Sequence, residues 1–90
     1  MDYYKVDAEP KYIQVVSEAY VVITKLGYAP VVDVIERRTS TTKALFISAA
    51  SLSVQLEALR EENGGKFNGP EFWIRKASYE KTARYVIEQD

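Results

Sequence analysis

Residues Lys11–Lys25, KYIQVVSEAYVVITK, decide the fold, because they read in two ways. By residue type they are strand. Tyr12, Ile13, Val15, Val16, Tyr20, Val21, Val22, Ile23 and Thr24 are aromatic or β-branched and suit a pleated, half-buried surface. By spacing, Tyr12, Val15, Val16, Ala19, Tyr20 and Ile23 also fall on one helical stripe, with Pro10 suited to a first turn and Gly27 to a stop. As one long, bent strand the segment opens a β-β-β-α-β-β chain. As a helix it opens an αββαββ antiparallel sheet.

The segments that follow are less ambiguous. Pro30–Arg37 is strand-like, Thr39-Ser40-Thr41-Thr42 marks a turn, and Lys43–Ile47 is strand again, which makes a hairpin. Ser48 is placed to cap a helix carrying Leu52, Leu56 and Leu59 on one face, and Asn63-Gly64-Gly65 ends it. Phe72–Lys76 and Ala83–Glu88 form a second hairpin across Ser78-Tyr79-Glu80-Lys81. The two hairpins superpose at an offset of forty, pairing Pro30 with Pro70, Val34 with Ile74, Thr42 with Thr82 and Ile47 with Ile87. A duplicated helix-hairpin unit would produce that match and favour αββαββ; so would any two strand pairs of similar length. Residues 1–10 have no period and read as a flexible lead-in to a single domain over 11–90.

Composition removes most chemistry. The 90 residues contain neither cysteine nor histidine, which excludes disulfides, thiol nucleophiles, Ser-His-Asp triads and Cys or His metal sites. Glu57, Glu61 and Glu62 are spaced as a solvated helix face beside Arg60, and Asp33 and Glu36 fall on opposite faces of one strand. No catalytic set assembles, so the expectation is a non-enzymatic protein without metal or other cofactor. No apolar run approaches the roughly 20 residues of a membrane span, and the start lacks a basic, then apolar, leader. The reading is an intracellular, cytoplasmic chain with no membrane contact.

The formal charge of −1 conceals segregation. Arg37, Arg38 and Lys43 fall in one window, and Arg75, Lys76, Lys81 and Arg84 in another, with Glu80 the only acid in either. Acids dominate the remainder. If the windows adjoin in space, they form a positive face on a protein whose other side repels polyanions.

The β-β-β-α-β-β order is that of the OB-fold, a small five-stranded, partly open barrel with a helix between its third and fourth strands. The run Leu45-Phe46-Ile47-Ser48-Ala49-Ala50-Ser51-Leu52, then Leu56 and Leu59, Asn63-Gly64, Gly69, Phe72-Trp73-Ile74-Arg75-Lys76 and Arg84-Tyr85-Val86, resembles small OB-fold single-stranded-DNA-binding proteins over roughly residues 11–89. Strand alternation places Phe72 and Ile74 inward and Trp73 and Arg75 outward, with Leu45 and Ile47 inward and Phe46 outward. Aromatic faces beside cations suit single-strand binding, because bases stack on the former and phosphates follow the latter. The candidate nucleic-acid-binding residues are Tyr28, Arg37, Arg38, Lys43, Phe46, Trp73, Arg75, Lys76, Tyr79, Lys81 and Arg84. The expected partner is single-stranded DNA, or RNA, bound with little sequence preference, as in DNA replication. The rival expectation is a protein-interaction or assembly module, a replication accessory or viral component, whose Trp73-Phe46 face is a protein hot spot. Homodimerisation through an open strand edge is a further expectation.

Overall fold

The computed structural model describes residues 3–89. It is mainly β with one helix: β1 (Lys11–Val15), β2 (Tyr20–Thr24), β3 (Gly27–Glu36), β4 (Thr41–Phe46), α1 (Ala50–Glu62), β5 (Glu71–Lys76) and β6 (Tyr85–Glu88). All strand pairs are antiparallel, in the order β2-β3-β1-β5-β6, with β4 on the other edge of β3.

The ambiguous stretch is strand, so the αββαββ alternative is overturned: residue type prevails over the helical spacing. It is two strands, however, because β3 reaches past a bulge. Val15 lies opposite Val34 and Tyr20 opposite Val31, so Val16–Ala19 face only Val32 and Asp33. The bulge satisfies its own polar groups. Val16 N–H donates to the Asp33 carbonyl at 2.9 Å, Asp33 N–H donates to the Ser17 hydroxyl at 2.8 Å, and Tyr20 Oη donates to the Asp33 carboxylate at 2.6 Å. The Glu18 carboxylate accepts the N–H groups of Phe67 and Asn68, tying the bulge to the loop after the helix.

One core results. Ile13, Val15, Val32, Val34, Leu45, Ile47, Phe72 and Ile74 meet Leu52, Leu56 and Leu59 of α1, all buried. The predicted leucine face is therefore the helix's inner face. Its start differs from expectation: Ala49 occupies the cap position with no side-chain cap, its carbonyl accepting from Leu52 and Ser53, and Ser48 plays no part. The end is as expected, Gly64 and Gly65 both taking left-handed φ, of 68° and 84°.

The sheet does not close: β4 and β6 remain unpaired with each other. Each edge is covered by something else. At β6, Gln55 of α1 donates to the Tyr85 carbonyl at 2.8 Å and accepts Ile87 N–H at 3.0 Å, while the Ser51 hydroxyl accepts Tyr85 N–H at 3.1 Å. At β4 the cover is the lead-in. Tyr4 N–H donates to the Ala44 carbonyl at 2.8 Å, and further on Lys76 N–H donates to the Asp7 carbonyl at 2.7 Å. Residues 3–7 thus run from β4 to β5 across the opening, with Tyr4 and Val6 packed on the core and the Tyr4 hydroxyl donating to Glu36 at 2.7 Å. The flexible lead-in expected from its lack of period is, from Tyr3 onward, a bonded part of the sheet; period is uninformative in a segment held by a few main-chain bonds.

Candidate nucleic-acid interface

The expected alternation holds on β5: Phe72 and Ile74 are buried, and Trp73 lies outward, 39% exposed. A row of outward side chains crosses the strands here. Trp73 is opposite Tyr12 on β1 and Glu88 on β6, and Arg37 N–H bonded to the Tyr12 carbonyl extends the row past the end of β3. The Tyr12 and Trp73 rings meet at 5.1 Å between centroids. Arg75, next to Trp73 on this face, lines a shallow cleft of about 350 Å³ with Pro10, Trp73, Val86 and Glu88. Both arginines already face acids: Arg37 is 3.5 Å from Glu71, and Arg75 is 3.6 Å from Glu88.

Phe46 is outward too, but elsewhere. It lies opposite Val31, whereas the Trp73 row meets β3 at Arg37, six residues along and so roughly 20 Å away at the rise of a strand. The shared Trp73-Phe46 face expected from the sequence is therefore not formed. The partner of Phe46 is Tyr3, at 4.4 Å between ring centroids. Neither Tyr3 nor Tyr12 was legible as a site residue, since each depends on a strand pairing that no local pattern specifies.

The basic windows do come together, through a residue from neither. Lys5, exposed on the lead-in, lines one cleft of about 750 Å³ with Lys43, Lys11, Tyr3 and the acids Asp7 and Glu36, and a second of about 300 Å³ with Phe46, Lys76 and Tyr85. Lys43 belongs to the first window and Lys76 to the second, so Lys5 bridges them. Lys76 Nζ sits 5.4 Å from the Tyr85 ring centroid and donates to the Lys81 carbonyl at 3.5 Å, which ties it to the β5–β6 turn. Tyr79 and Arg84, on the same connection, are exposed. Arg38 is exposed in the β3–β4 turn. In the larger cleft the Glu36 carboxyl is held below its ordinary range, first by the Tyr4 hydroxyl and next by that of Thr39. Tyr28, far out on the β2–β3 hairpin, lines a separate cleft of about 650 Å³ with Leu26, Phe46 and Ser48.

Among the described residues no cluster of acids has the makings of a metal site, and no helix is long and apolar enough to cross a membrane. Comparison with protein-family models, curated proteins and solved structures yields no match.

Proposed function

We propose that this chain binds single-stranded DNA or RNA without catalysing a reaction on it. The observation that carries the reading is the bridging position of Lys5. It turns two basic windows separated in sequence into one band, Lys43–Lys5–Lys76, leading to the turn that carries Lys81, beside the adjoining Tyr3 and Phe46 rings. A strand laid on an OB-like sheet has its phosphates along the lysines and its bases toward the aromatics. Tyr12 and Trp73 supply a second stacking platform. Stacking is worth about 1–3 kcal/mol per base regardless of base identity, so binding is sequence-tolerant.

The test is a titration with short oligothymidine at low and moderate salt, following Trp73 fluorescence and the anisotropy of a labelled strand. Four lysines on four phosphates give a slope of log K against log salt of about −3, and Lys5→Gln reduces its magnitude by about 0.7. A flat anisotropy at low salt rejects the reading. If anisotropy rises while fluorescence stays constant, binding is confined to the lysine band.

A second reading has one observation in its favour. Glu71 and Glu88 offset Arg37 and Arg75, leaving the Trp73 face close to neutral and better suited to a protein contact than to a polyanion. Such a contact persists as salt is raised, whereas strand binding weakens.

A further inference from the structure

Three strand edges of this sheet lack a strand neighbour, and two of them are covered: β6 by Ser51 and Gln55, β4 by the lead-in. The third is β2. Among the described residues nothing bonds to its outer edge. Which of its groups face outward follows from Pro30. The Pro30 carbonyl accepts Ile47 N–H on the β4 side, so Pro30 and its opposite residue Val21 are not a hydrogen-bonded pair. Val21 therefore turns its N–H and C=O away from β3, and by alternation so does Ile23.

The side chains at this edge are unusually open. Val21 is 62% exposed, Ile23 73%, Tyr28 77%, and Leu26 at the turn is fully exposed. Ile23 lies directly opposite Tyr28, and Val21 opposite Pro30, so one face of the hairpin is an apolar stripe. β2 itself, YVVIT, has no charge and no proline, the usual protections of a free edge.

We infer that β2 pairs with β2 of a second copy of this chain, antiparallel about a two-fold axis at Val22, making one continuous sheet through the dimer. That register sets Val21 of each copy against Ile23 of the other, joining the residues whose main-chain groups face outward. Tyr20 then meets Thr24. No charged residue falls inside the seam. At either rim Lys25 of one copy comes beside the end of the strand that carries Glu18 in the other, so opposite charges adjoin and like charges do not. The seam covers the open main-chain edge of β2 with Val21 and Ile23 beside it, a contact smaller than the about 800 Å² per partner of a standard interface, so the association depends on concentration. The inference stands independently of strand binding.

The test is the mass of the full chain by light scattering and sedimentation over a concentration series, without nucleic acid. The mass rises from 10.3 kDa to twice that value. Ile23→Lys, at an exposed position, keeps the circular-dichroism spectrum and melting cooperativity of the parent and stays at the monomer mass throughout. Amide exchange supplies a readout that needs no variant: the N–H groups of Val21 and Ile23 become protected as concentration rises, while the fully exposed turn does not. A parent chain that remains monomeric, a dimer that survives Ile23→Lys, or Val21 and Ile23 amides that exchange rapidly at every concentration each overturns the inference.

Discussion

Gln55 does for β6 what a neighbouring strand does elsewhere. Its side-chain amide donates to the Tyr85 carbonyl and accepts the Ile87 N–H, a strand's repertoire compressed into a single residue, while a second amide hydrogen anchors it to the Ser51 carbonyl within the helix at 2.6 Å. Gln55→Ala leaves the Tyr85 carbonyl and Ile87 N–H unmatched in a half-buried setting, and the expected loss is about 1–3 kcal/mol, read as a lower urea midpoint at unchanged slope. Gln55→Glu restores the acceptor but not the donor and recovers part of the loss. None of this was legible in the sequence, where Gln55 reads as one more polar residue on a solvated helix face. Residues whose role rests on strand alternation fared differently. Phe72, Ile74, Leu45 and Ile47 point inward as the alternation demands, because a one-residue slip would expose the whole inward set.

At the scale of elements, the lead-in is the part whose removal is most telling. Deleting residues through Ala8 frees the Ala44 carbonyl and Lys76 N–H, removes the Tyr4–Glu36 bond and strips Val6 from the core. A loss of about 2 kcal/mol, or on the order of 10 °C in Tm for a domain of this size, is expected by calorimetry. Phe46 becomes exposed in the same step, and the cationic band loses Lys5. The turn residues, the second hairpin and the helical leucines were legible because each is specified by neighbours in sequence. The break at Val16–Ala19 was not. It exists because the Ser17 hydroxyl accepts the N–H of Asp33, a residue sixteen positions away, and nothing in the composition of Ser17-Glu18-Ala19 distinguishes such a bulge from a bend.

Acid acts on the fold at two carboxylates, Glu18 in the bulge and Glu36 at the end of β3. Glu18 is kept below its ordinary 4.5 by the N–H groups of Asn68 and then Phe67, and Glu36 below the same value by the Tyr4 hydroxyl and then that of Thr39. Both values are depressed on folding. The stabilisation they carry is therefore complete above 4.5 and disappears as pH falls through the lowered folded values. Thermal melts at about pH 6 and about pH 3.5 should show a drop in Tm for the parent chain and a smaller drop for the Glu18→Gln, Glu36→Gln double variant. If the two proteins lose equal stability, these contacts are not what acid breaks. Charge segregation was visible in the sequence at this scale, since it requires only counting. That the two basic windows meet was not, because the residue joining them lies in a segment with no pattern of its own.

The bond from Tyr4 to Ala44, and that from Lys76 to Asp7, also impose an order of events on a growing chain. The lead-in is synthesised before either partner. It then waits through the synthesis of β1 to β4, the helix and β5 before Lys76 can reach Asp7. Local hairpins and the helix need only neighbours in sequence, whereas the contacts of residues 3–7 close long loops and wait for β4 and then β5.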